Sequence, residues 1–216
     1  MPNWCNNSVE IYHDDPKMLE RVRTAFNGEG LLQEFIPVPE DLRNIVAGSV
    51  PVAEEAEHKL KEEFNRMAYG YINWYDYCVN EWGTKWDIGA DGNPAQDIPG
   101  DEFVGPGLML GFDSAWSPPI AAYEKLLEMG FYIRALYYEG GMAFAGVWDN
   151  GIDDYYEYGG MDSKEIADTL PIDLDEAFGI SESVAEWEAE NAEDDENIDI
   201  DLDGGVSAVN EQEEQK

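Results

Sequence analysis

The chain has 216 residues, of which 44% are hydrophobic and 12% aromatic, enough for one packed core plus an extension and too apolar for a wholly disordered chain. Forty-eight acids face 12 bases, a formal net charge of −36. A field of that sign repels DNA, RNA and anionic membranes and attracts cations and the basic grooves of other proteins.

No run approaches the ~18 consecutive apolar residues of a membrane span. The opening Met-Pro-Asn-Trp lacks the basic and apolar regions of a secretory signal. A cytoplasmic protein with Cys5 and Cys78 reduced is therefore expected.

Ser8 to Tyr12 alternates, with Val9 and Ile11 on one face, and reads as a half-buried strand. Asp15 as N-cap, Pro16 at the first helical position and Met18, Leu19, Val22 and Phe26 at helical spacing predict a helix that stops at Gly28. Pro37-Val38-Pro39 breaks the chain, and 40–52 reads as an irregular crossing. A long helix is predicted from about Ala53 to Gly83, with Leu60, Phe64, Met67, Tyr71, Tyr75, Val79 and Trp82 on one side.

From Asp87 to Gly107 the composition turns to Gly, Pro, Asp and Asn and predicts a surface loop without its own core. Leu108 to Phe112 predicts a buried strand, and Ser117-Pro118 a cap for a helix that carries Ile120, Tyr123, Leu126 and Leu127 to Gly130. Phe131 to Glu139, Met142 to Trp148 and Ile152 to Tyr158 predict a three-stranded meander with turns at Gly140-Gly141 and Asn150-Gly151. The pattern is α+β: one antiparallel sheet with helices on one face and a long helical insert.

Past Gly160 the character changes. Residues 135–216 hold 25 of the 48 acids but only Lys164 and Lys216 among bases. The expected organisation is a folded domain over 1–160, a short acidic helical extension over 161–192 that docks on the sheet or on a partner, and a disordered acidic tail over 193–216.

Four stretches resemble the YubB-type ferredoxin-like proteins of phages and plasmids: residues 1–7 (Met-Pro-Asn-Trp-Cys-Asn-Asn), 37–40 (Pro-Val-Pro-Glu), 80–87 (Asn-Glu-Trp-Gly-Thr-Lys-Trp-Asp) and 112–119 (Phe-Asp-Ser-Ala-Trp-Ser-Pro-Pro). The resemblance spans roughly residues 1–160. It implies a ferredoxin-like sandwich and a mobile-element origin, and it implies no established reaction.

Cys5, His13, Asp14, His58 and Cys78 include every soft ligand, yet none fall at a zinc spacing. No Ser or Cys is placed with a His and an acid for nucleophilic catalysis, and no Gly-rich run has phosphate-loop spacing. The expectation is a non-enzymatic protein with no cofactor. Asp199, Asp201 and Asp203 before Gly204 copy half a calcium loop, but position twelve is Asn210 where a Glu belongs.

Two surfaces stand as candidates. Trp82, Lys85, Trp86 and Asp87, with Trp116 nearby, read either as a packing corner or as a small pocket holding a Lys85–Asp87 charge pair. Asp149, Asp153, Asp154, Glu157, Asp162, Glu165 and Asp168, mixed with Tyr155 and Tyr156, read either as a solvated face or as a DNA-like surface for a basic partner. Trp187 would serve as a docking handle. The resulting expectation is a phage or plasmid protein that blocks a basic, nucleic-acid-handling host protein or nucleoprotein complex without touching nucleic acid or membrane. The alternative is a ferredoxin-like module whose acidic tail docks a replication or repair partner.

Overall fold

A computed structural model of the chain describes residues 3–100 and 105–196, with side chains described as far as residue 191. Strand β1 (Trp4–Tyr12) buries Cys5, Asn7, Val9 and Ile11 on one side of its pleat. Helix α1 (Pro16–Phe26) follows, its first turn closed by Asp15, whose side chain accepts the Lys17 amide. Two short helices come next: α2 (Leu31–Phe35) and, inside the 40–52 stretch read as irregular, α3 (Glu40–Arg43).

The long helix of the sequence reading is two helices, α4 (Glu55–Tyr69) and α5 (Trp74–Glu81). Gly70 ends the first at φ 83°, and Asn73 starts the second by accepting the Asp76 amide at 2.9 Å. A left-handed glycine and an N-cap three residues later override the apolar periodicity. The break leaves Leu60, Phe64 and Met67 exposed. Helix α4 is instead tethered by polar contacts: buried Asn65 donates to the Asp41 and Ile72 carbonyls, and the Tyr69 hydroxyl to Asp41.

Strand β2 (Gln96–Ile98) lies in the stretch expected to be loop, and the neighbouring Ile88 and Ala95 are buried, so this segment contributes to the core after all. Strand β3 (Gly107–Ala115), helix α6 (Ile120–Glu128) and strands β4 (Tyr132–Glu139), β5 (Phe144–Asp149) and β6 (Ile152–Glu157) follow. The β4–β5 turn is longer than the two residues expected, because buried Glu139 accepts the Gly141 and Met142 amides and holds a wider loop. The β5–β6 turn is the two-residue Asn150-Gly151 turn, both residues at positive φ.

The sheet order is β2-β3-β1-β4-β5-β6, antiparallel throughout. Strands β3 and β4 flank β1, so α6 links two parallel strands with β1 between them. One face packs Val9, Ile11, Leu108, Leu110, Ile133, Ala135 and Trp148 against α1, α2, α5 and α6 in the main core.

Helices do not stay on that face. The pleat turns Leu136, Ala145 and Val147 to the other side, where they share a second core with Ile166 of α7 (Ser163–Thr169), Leu170, Leu174 of α8 (Ile172–Phe178) and Ile180 of α9 (Ile180–Glu196). Strands β4 and β5 are apolar on both faces, and a doubly apolar strand needs cover on both. The acidic helices provide it.

Candidate functional site

The acidic face begins on the β5–β6 hairpin. Asp149 accepts the Tyr132 hydroxyl at 2.9 Å and Asp153 the Tyr137 hydroxyl at 2.7 Å. Burial, with the Asp153 carboxylate beside it, pushes the Tyr137 hydroxyl well above its ordinary range. Strand alternation sends Asp153, Tyr155 and Glu157 to the side of the main core, where Tyr155 meets Phe144, and Asp154 and Tyr156 to the side of the second core. The acids therefore wrap around β6, the last strand of the sheet, rather than lining one plane.

On the second side α7 continues the face. Asp162 and Glu165 form a capping box: the Glu165 amide donates to Asp162 at 2.8 Å and the Asp162 amide to Glu165 at 3.1 Å. Lys164 pairs with Asp168 one turn on. The Ser163 amide and hydroxyl both donate to Glu188 and fix α9 against α7. Trp187, on α9, is 64% exposed. Residues 141–191 carry fourteen acids and one base, Lys164, and Asp153, Asp154, Glu157, Asp162, Glu165 and Asp168 are all exposed. Asp199, Asp201 and Asp203 lie outside the described residues.

The second candidate is an aromatic corner where the turn after α5 meets the turn after β3. Thr84 is bonded to both backbone polar groups of Ala115, and the Ser117 hydroxyl donates to the Gly83 carbonyl at 2.7 Å. Ser117 thus ties two turns together; the cap position of α6 is Pro119. Gly83 sits at φ 81° with the Ile120 amide 3.1 Å from where a Cβ would lie, so only glycine fits without strain.

This stitching sorts the five residues named from sequence. Trp82 turns inward, is 4% exposed, and donates its indole N–H to the Ile36 carbonyl at 2.9 Å. Asp87 also turns inward and accepts the amides of Leu32, Gln33 and Ile88, which closes the start of α2. Its burial outweighs those three bonds and raises its carboxyl above the ordinary value. The Lys85–Asp87 charge pair does not form, because Asp87 is committed to backbone amides.

Lys85, Trp86 and Trp116 turn outward. The Lys85 ammonium lies 4.6 Å from the Trp86 ring centre, 5.3 Å from that of Trp116 and 5.8 Å from that of Tyr75. Trp4 extends the cluster, its ring 5.8 Å from Trp86. Tyr75 and Trp4 were not singled out as site residues from sequence. Their only signal was the density of Trp and Tyr in segments far apart along the chain.

Sequence reasoning also missed a cleft of about 590 Å³ on the second sheet face, lined by Glu10, Tyr12, His13, Asp14, Tyr132 and Arg134 among others. One of these, Arg134, also pairs with Asp173 of α8. The alternation of Glu10 and Tyr12 opposite Tyr132 and Arg134 was the available signal.

Among the described residues no three His, Cys, Asp or Glu side chains group as a metal site would need. His13 and His58 are each hydrogen-bonded to backbone. No described helix is long and apolar enough to cross a membrane.

No protein-family model and no curated protein matches the chain. Among solved structures it is similar to that of a protein api92 from Yersinia pseudotuberculosis, of family DUF1281, with 14% sequence identity, TM-score 0.40, and coverage of 74% of this chain and 99% of that one.

Proposed function

We propose that this chain is a non-enzymatic binding protein of the cytoplasm that blocks a basic, nucleic-acid-handling partner by occupying its groove with the acidic surface of β6 and α7. The observation that carries the reading is the exposure of six carboxylates, with Lys164 as the only base between residues 141 and 191, on a scaffold anchored by its own core. Fixed carboxylates imitate phosphates better than tethered ones, because a duplex presents one charge per ~1.7 Å of axis at set positions. The mobile-element resemblance of residues 1–160 supports a host defence or DNA-processing complex as the target. It also supports reading the β3–α6–β4 unit around β1 as ferredoxin-like.

The test is capture of host proteins on the full-length chain at low and high salt, beside a variant carrying Asp154→Asn, Glu157→Gln and Asp168→Asn. These three acids are exposed and take no part in the capping box. A basic nucleic-acid-handling protein retained at low salt, released at high salt and lost with the variant supports the proposal. Capture of nothing basic, or equal capture by both forms, overturns it. A salt-resistant partner lost on Trp187→Ala instead identifies a docking module, the reading favoured by the 64% exposure of Trp187.

A further inference from the structure

The aromatic corner is separate from the acidic face and has a different chemistry. Trp4, Trp86 and Trp116 are each 40–46% exposed, and Tyr75 is 38% exposed. Rings of that size bury a large area when covered, and they are here left open side by side. Three of them, the rings of Tyr75, Trp86 and Trp116, surround the Lys85 ammonium.

Two further observations bear on what covers them. In a chain with four acids to each base, Lys85 has no ion pair among the described residues and is held by ring faces alone. Trp116 sits at φ 69°, a conformation that a bulky side chain avoids and that persists only where the surroundings impose it. Its amide is pinned to the Asn3 carbonyl at 2.9 Å, which holds the ring over Lys85. A glycine there would relieve the strain and lose the ring.

We infer that this corner binds a small planar anion of the nucleoside monophosphate class, its base stacked on an exposed indole and its phosphate on the Lys85 ammonium. The ring faces already attract one cation, so a second would be repelled by Lys85; an anion meets the charge that lacks a partner. Planarity is what indole faces select, since base–aromatic stacking is favourable for every base. The net charge of −36 works against long nucleic acids and so restricts the ligand to a mononucleotide.

The test is titration of the full-length protein with AMP at low ionic strength, followed by tryptophan fluorescence and by calorimetry, with adenosine and inorganic phosphate run separately. The expected result is saturable quenching by AMP, binding of adenosine weaker by about tenfold or more, and no binding of phosphate alone. Lys85→Gln should weaken AMP to the adenosine level. Trp116→Gly should abolish binding while the unfolding midpoint holds or rises, because glycine accepts φ 69°. Absence of saturable binding, adenosine binding as tightly as AMP, or unchanged AMP binding by Lys85→Gln each overturns the assignment.

Discussion

Thr84 grips Ala115 by both of its backbone polar groups: its hydroxyl donates to the Ala115 carbonyl and accepts the Ala115 amide, each at 3.1 Å. One buried hydroxyl, 2% exposed, thus joins the turn after α5 to the end of β3, and with it Lys85 and Trp86 to Trp116. The Ser117–Gly83 bond is a second tie between the same two turns.

Replacing Thr84 with Val keeps the shape and removes both bonds, so two buried backbone groups lose a partner. Each such group costs about 1–3 kcal/mol. Thr84→Val should lower the urea midpoint with an unchanged slope, and Thr84→Ser should restore most of it. An unmoved midpoint for Thr84→Val would mean that the two turns are held together by something else.

The acidic helices share the second core, and Ile166 is fully buried in it. Ile166→Ala should cost about 2–4 kcal/mol by lost transfer and cavity. Far-UV circular dichroism and tryptophan fluorescence should still report one coincident thermal transition, at a lower temperature. Two separated transitions would show that α7–α9 fold independently of the sheet. For the same reason a chain cut after Gly160 would bare Leu136, Ala145 and Val147.

Burial pushes the Cys5 and Cys78 thiols up to about 12 from an ordinary 9.0. The folded protein holds these protons more tightly than the unfolded chain. Their contribution is therefore fully present below pH 9, and stability falls as pH rises from there toward 12. At pH ~8 an aromatic disulfide reagent should titrate no thiol in the native protein and two per chain in denaturant. Rapid native reaction would place a thiol at the surface.

Local rules carried far along this chain. Asp15-Pro16, the alternation of Val9 and Ile11, and Asn150-Gly151 each specify their own conformation through contacts a few residues long, and each appears where the sequence placed it. The helical stripe from Leu60 to Trp82 misled, because 3.6-residue periodicity does not register that Gly70 favours a left-handed stop or that Asn73 caps a new start.

The order and periodicity of the elements determined an α+β protein, and composition alone an acidic C-terminal third, since charge is a sum over residues. Which side of the sheet the acidic helices cover was decided by β4 and β5 being apolar on both faces, a property that acquires meaning only once neighbours are assigned. The separation of Asp87 from Lys85 is of the same kind. Two residues apart in sequence, one is drawn inward by the amides of α2 and the other outward between rings from α5 and the turn after β3, and only folding brings those partners within reach.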